Sequence, residues 1–191
     1  MAKVVVKTKV KKVKRKFPVE ILAPEYLDSV HLGTTQTSDL TTFVGKTLKL
    51  NMMYVSGNVK NQNIRLTFKI NEVSSGKANT IVSSYEQIPY YLGRFIKAGS
   101  DLVEDSIELI SKDNKKILVK AMMVTKNNIS SSVISALRLK SRELFQKELE
   151  SKSYDEFMSS LIGGKIQNQF RNELKMIFPL KTFEFKKVEL L

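Results

Sequence analysis

The chain reads as an α+β protein, a mainly antiparallel sheet followed by packed helices, and three stretches carry that reading. IRLTFKINEV, residues 64–73, alternates Ile64, Leu66, Phe68 and Ile70 with Arg65, Thr67, Lys69 and Asn71, the period of a strand with one buried face. From the serines at 130–132 onward, apolar residues instead recur at helical spacing. The closing KTFEFKKVEL alternates again, with Phe183 and Phe185 on one face, so a last strand should rejoin the sheet.

Each element follows from local pattern. FPVEILAP closes on Pro24, and 24–43, with the polar run GTTQTSDLTT, reads as loop. TLKLNMMYV reads as extended chain. SSGK at 74–77 is a hairpin signal that returns ANTIVSSYEQI antiparallel to the preceding strand. Ile88 to Gly99 predicts a short helix, with Pro89 in its first turn and Gly99 as its stop. VEDSIELI and KKILVKAMMV predict two strands joined at Lys112-Asp113-Asn114. A helix should run from the serines to about Lys152 on Ile134, Leu137, Leu144, Phe145 and Leu149. Ser153 and Glu156 form a capping box for YDEFMSSLI, which stops at Gly163-Gly164. A third helix puts Ile166, Phe170, Leu174 and Ile177 on one face before Pro179. The expected organisation is a basic arm, 1–16, and one body, 17–191, mainly β over 17–126 and mainly helical over 127–191 with the final strand.

Charge narrows the function. The 191 residues carry 32 Lys and Arg against 19 Asp and Glu, a formal +13. Residues 1–16 hold eight of those cations and no acid, which leaves +5 over the rest. Polyanions are the natural partner, and 26 Lys against 6 Arg favour point-charge contact with phosphates over bidentate reading of guanine edges. The absence of cysteine excludes disulfides, thiolate nucleophiles and cysteine-ligated zinc, and the single His31 cannot build a histidine metal cluster. No apolar run approaches the roughly 18 residues of a membrane span, and Val4-Val5-Val6 is too short for a secretory signal, so the protein is expected to stay where it is made.

Candidate catalytic sets fail on inspection. VGKT at 44–47 lacks the earlier glycine of a phosphate-binding loop, since Leu40 stands there, and Gly163-Gly164-Lys165 lacks the following hydroxyl. Asp101, Glu104, Asp105 and Glu108 could hold a hard cation, but on an extended segment they scatter over both faces, and a solvated edge or a basic neighbour is the simpler account. His31, beside Asp28, reads as a surface histidine. Tyr85, Tyr90, Tyr91 and Phe95 lie near Arg94 and Lys97, where rings could stack RNA bases, although Tyr91 and Phe95 at helical spacing read more simply as packing. No catalytic or metal site and no cofactor is assigned. The RNA-binding candidates are Lys7, Lys9, Lys11, Lys12, Lys14, Arg15 and Lys16 of the arm and Lys60, Arg94 and Lys97 of the body.

Several blocks together resemble one family. KFPVEILAP, VGKTLKLNMMYVSGNVKNQNIRLTFKINEV, SKDNKKILVKAMMVTKNN and FMSSLIGGKIQNQFRNELKMIFPLKTFEFKKVELL are similar, in order and over nearly the whole chain, to the archaeal and eukaryotic small-subunit ribosomal protein family eukaryotic-type S-one, also called S-three-Ae, and the chain ends about where archaeal members end. The resemblance implies a β-barrel-like sheet with packed helices and a structural, non-catalytic place in the cytoplasmic ribosome. It further implies a seat on the platform of the small subunit beside ribosomal RNA, neighbouring ribosomal proteins and the messenger exit. IKAGSDLVED (96–105) and VTKNNISSSVIS (124–135) depart from the family's Arg-rich runs, so among cations it adds only Lys126, Arg138 and Lys165. The rival reading is a free RNA-binding protein or RNA chaperone. The arm is expected to be mostly solvated when free and to order on RNA.

Overall fold

The computed structural model describes residues 16–38, 40, 42–74 and 76–191. In chain order the elements are β1 (Phe17–Leu22), a 3-10 turn (Glu25–Leu27), β2 (His31–Thr37), β3 (Thr47–Asn51), α1 (Met52–Ser56), a second 3-10 turn (Val59–Asn61), β4 (Ile64–Ser74), β5 (Lys77–Gln87), α2 (Pro89–Gly93), β6 (Leu102–Ile110), β7 (Lys116–Thr125), α3 (Ser131–Ser151), α4 (Tyr154–Ile162), α5 (Lys165–Leu174) and β8 (Leu180–Leu190). The α+β class is as predicted. The expectations for Lys7, Lys9, Lys11, Lys12, Lys14 and Arg15, and for the arm's conformation, lie outside the described residues.

Six strands run antiparallel in the order β3-β4-β5-β8-β7-β6, and the β1-β2 hairpin joins through a parallel β1·β5 pairing. The sheet is therefore mixed, and it is not the closed barrel that barrel-like packing would approach. The reason lies in β5. One of its edges is taken by β4, while the other pairs with β1 at Lys77–Asn79 and with β8 at Ser84–Glu86, so the sheet branches instead of closing. Between the two branches the backbone is satisfied by side chains: Thr80 Oγ1 donates to Leu22 O at 2.7 Å, and Tyr154 Oη donates to Val82 O at 2.6 Å.

Three local expectations need correction. His31–Thr37 is a strand, not loop, because it pairs with β1 from Phe17↔Thr37 inward as an edge strand, which needs few core residues and tolerates exposed threonines. The extended reading of TLKLNMMYV stops at Asn51, whose Oδ1 accepts from Met53 N at 2.9 Å and caps α1. The helix after Ile88 ends at Gly93 rather than Gly99, and single turn bonds such as Ile96 N to Gly93 O continue the chain.

The helical half follows its signals. Both bonds of the capping box form, Ser153 Oγ accepting from Glu156 N and Glu156 Oε2 from Ser153 N at 3.1 Å. Leu137, Leu144, Phe145 and Leu149 of α3 are buried, as are Phe157 and Leu161 of α4 and Ile166, Phe170 and Leu174 of α5. Ile177 lies beyond α5 and is exposed, so it leaves the predicted face. Beneath the helices β8 presents Phe183, Phe185 and Val188. All three face inward because the β7-β8 register passes from Ala121↔Phe185 to Lys120↔Lys187, skipping Lys186 and shifting the alternation. A smaller cluster of Leu92, Met122 and Val124, with Tyr91 and Phe95, seats α2 on the sheet.

Candidate nucleic-acid interface

The strand period that buries Leu66, Phe68 and Ile70 turns Arg65 and Lys69 to solvent, and β3 adds Lys49 by the same rule. Farther across the sheet, Lys120 lies directly opposite Lys187. Like charges at such a position are unfavourable unless something anionic answers them. Lys187 reaches Glu189 at 2.7 Å, whereas Lys120 has no ion-pair partner among the described residues. These cations were not among the sequence candidates. The alternation of β4 would have identified Arg65 and Lys69, but the facing of Lys120 and Lys187 depends on a bulge that local pattern does not announce.

The body candidates fall into separate places. Lys60 is exposed on the second 3-10 turn, where Asn58 Oδ1 accepts from its backbone N at 3.0 Å. Arg94 follows α2 and stacks 4.9 Å above the Tyr91 ring, which itself meets Phe95 edge-on at 5.2 Å. Packing is thus the role of Tyr91 and Phe95, and Tyr85 is fully buried, whereas Tyr90 stands 84% exposed on α2. Lys97 is exposed in the turn closed by Ser100 Oγ donating to its carbonyl at 2.6 Å. Lys126 is exposed just after β7, its N–H donating to Pro179 O at 3.1 Å. Arg138 projects from α3 into a groove of about 480 Å³ shared with Lys120 and Lys186. Lys165 opens α5, and Lys16 is exposed just before β1.

One polar cleft of about 290 Å³ gathers part of this set. It lies between the second 3-10 turn, the end of β5, α2, the α4-α5 junction and β8, and Lys60, Tyr91, Gly164 and Glu184 are on its walls. Lys165 adjoins it through Gly164, and Arg94 through Tyr91. Burial pushes the Glu184 carboxyl up from the ordinary glutamate range, with the Gln87 amide, 2.8 Å away, acting in the opposite direction. Lys97, Lys126 and Arg138 are not among its lining residues.

Three of the four acids in the acidic segment, Asp101, Glu104 and Asp105, are engaged within the molecule, while Glu108 stays on the exposed face of β6. Arg142 of α3 donates from Nε and Nη2 to the two oxygens of Asp105, each at 2.8 Å. Asp101 accepts from Ile129 N at 2.7 Å ahead of α3, and Lys186 meets Glu104 at 3.0 Å. Among the described residues no cluster of three or more acids and histidines is arranged to hold a metal ion. The Arg142 hydrogen bond holds the Asp105 carboxyl below its usual range. A lowered folded pKa means that the unfolded chain takes up the proton first. The stabilisation is therefore complete above the ordinary aspartate value of about 3.9 and is lost as pH falls below it. Thermal melts of wild type and Asp105→Asn should differ at pH 6 and converge toward pH 3; a constant gap would show that the pair contributes nothing through ionisation.

The remaining motifs are structural. His31 is exposed, with Nε2 3.2 Å from Thr34 Oγ1. In VGKT, Gly45 N donates to Ile70 O and Ile70 N to Lys46 O, both at 2.9 Å, so this backbone is committed to β4 and cannot wrap phosphate.

The Ribosomal S3Ae family matches residues 5–191. The chain is 28% identical over 170 residues to the small ribosomal subunit protein eS1 of Haloarcula marismortui, covering 89% of this chain and 80% of that one. It is 27% identical over 173 residues to the protein of that name in Archaeoglobus fulgidus, covering 90% and 82%. Identity to the one in Methanobrevibacter smithii is 27% over 171 residues, covering 90% and 89%. With the match running from the arm through the last strand, the chain belongs to the Ribosomal S3Ae family.

Proposed function

We propose that the chain is a structural constituent of the small ribosomal subunit, not an enzyme, and that it binds ribosomal RNA through its basic arm and scattered body cations. The observation that carries this is the family match over residues 5–191, together with relatives named as small ribosomal subunit proteins. Its place is the platform near the messenger exit, in the cytoplasmic ribosome, beside neighbouring ribosomal proteins and within reach of messenger RNA. Residues 1–16 form the arm and 17–191 a single body. Lys7, Lys9, Lys11, Lys12, Lys14, Arg15 and Lys16 contact phosphates from the arm, and Lys60, Arg94, Lys97, Lys126, Arg138 and Lys165 from the body. Exposure of the candidates Lys16, Lys60, Arg94, Lys97, Lys126, Arg138 and Lys165 supports this reading.

The test is co-sedimentation of the full chain with small subunits in sucrose gradients at rising salt. Retention at high salt is the expected result, since an assembled component is held by more than screened charge. Recovery only in the post-ribosomal fraction would favour a free RNA-binding protein or chaperone.

A further inference from the structure

The cleft between β5, β8 and α5 contains hydrogen-bonding capacity that the fold leaves unused. Gln87 is 95% buried, at 5% exposure, and lines it. The Gln87 amide nitrogen donates to Glu184 Oε2 at 2.8 Å and to Tyr85 Oη at 3.3 Å, which fixes the orientation of the amide, and its Oε1 has no partner among the described residues. Gln167 repeats the arrangement: Nε2 donates to Leu161 O at 2.9 Å, and the buried Oε1 is again unmet among the described residues. Two orphaned acceptors beside a carboxylate are costly unless a donor-rich group fills the space.

The same cleft also carries the other polarity. α5 starts at Gly164 with no side-chain cap, so first-turn N–H groups remain available, and Lys60 lines the same cleft. A phosphate would face Glu184 and the two amide oxygens. A guanidinium or ammonium would face Lys60 and the positive end of α5. The complementary ligand is neutral and carries adjacent donors together with acceptors. Among the bases, guanine alone offers N1–H beside an exocyclic amine on its Watson–Crick edge, with O6 next to N1 and N7 beyond it as acceptors along the Hoogsteen edge. Adenine and cytosine would turn a ring-nitrogen acceptor toward the carboxylate, and uracil has one N–H between two carbonyls.

We propose that this cleft receives an unstacked guanine of RNA, with Glu184 and Gln87 accepting from N1–H and the exocyclic amine and the α5 N-terminus and Lys60 facing O6 and N7. This rests on the RNA-binding reading above. It assigns base recognition to one site on a protein whose other contacts are to phosphate.

The test measures binding of the full chain to a short oligouridylate carrying one central guanine, inosine or adenine, by fluorescence anisotropy at constant salt. Guanine should bind about tenfold tighter than adenine, with inosine, which lacks only the amine, between them. Glu184→Gln should remove the preference and leave the adenine oligonucleotide unchanged. Because the inosine comparison alters only the RNA, it holds whether or not that variant folds. Equal affinity for all three would overturn the cleft proposal while leaving the RNA-binding reading intact. No binding to any of them would overturn both. Competition by arginine amide but not by guanosine monophosphate would assign the cleft to a protein side chain and overturn it as well.

Discussion

Phe185→Ala should lower stability by about 3–5 kcal/mol, the range for removing a large buried aromatic side chain. Phe185 is fully buried where the sheet meets three helices. Its ring centroid lies 5.6 Å from Phe145 of α3, 6.4 Å from Phe157 of α4, 6.4 Å from Phe170 of α5 and 5.5 Å from Phe183 on its own strand. Truncation therefore removes packing from all three helices at once, and neighbours anchored on separate elements cannot collapse together to refill the space. For a chain of this length each kcal/mol moves the melting midpoint by about 2–4 °C, so a fall of roughly 6–20 °C is expected by calorimetry. Met176→Ala is the contrasting control, because Met176 is 90% exposed and should change stability by less than about 0.5 kcal/mol. A Phe185→Ala midpoint matching that of the control would mean that the aromatic cluster does not hold the helices to the sheet.

This core was legible in the chain because its determinants are local. Phe183 and Phe185 share a strand face by spacing two apart, Ser153 and Glu156 sit at the separation that lets them cap reciprocally, and the β4-β5 hairpin is specified by alternation on both sides of SSGK. What escaped depends on partners distant in sequence. β2 has almost no apolar signal and is a strand because β1 supplies its hydrogen bonds. The choice of β1 as a parallel neighbour of β5 has no local signature, and neither does the pairing of Asp105 with Arg142. The cleft is the extreme case. Lys60, Gln87, Gln167 and Glu184 come from four elements, and each taken alone is an unremarkable polar residue. The candidate cations showed the same divide: Lys60 and Lys165 were recognisable as charges, but their relation through one cleft required the fold.

Deleting residues 1–16 should flatten the salt dependence of RNA binding by several units in the slope of log affinity against log salt. The segment holds eight cations and no acid, whereas the remaining chain has a net of only +5. Each neutralised phosphate releases counterions and contributes about 0.7 to the slope on single strands and about 0.9 on a duplex. If most arm cations engage phosphates, the full chain loses roughly three orders of magnitude in affinity between about 50 and 200 mM salt, and the truncated chain loses far less. Replacing arm lysines by glutamine in steps should lower the slope in proportion, which distinguishes phosphate contact from a folding defect of the truncated chain. Binding to vesicles that depends on anionic lipid would point to a membrane surface, but the arm lacks the Trp, Phe and Leu face that an interfacial helix uses. An unchanged slope with unchanged incorporation into subunits would transfer the electrostatic role to the body. Lys120, which has no ion-pair partner among the described residues, and the exposed Arg65 and Lys69 of the sheet would then be the next cations to remove.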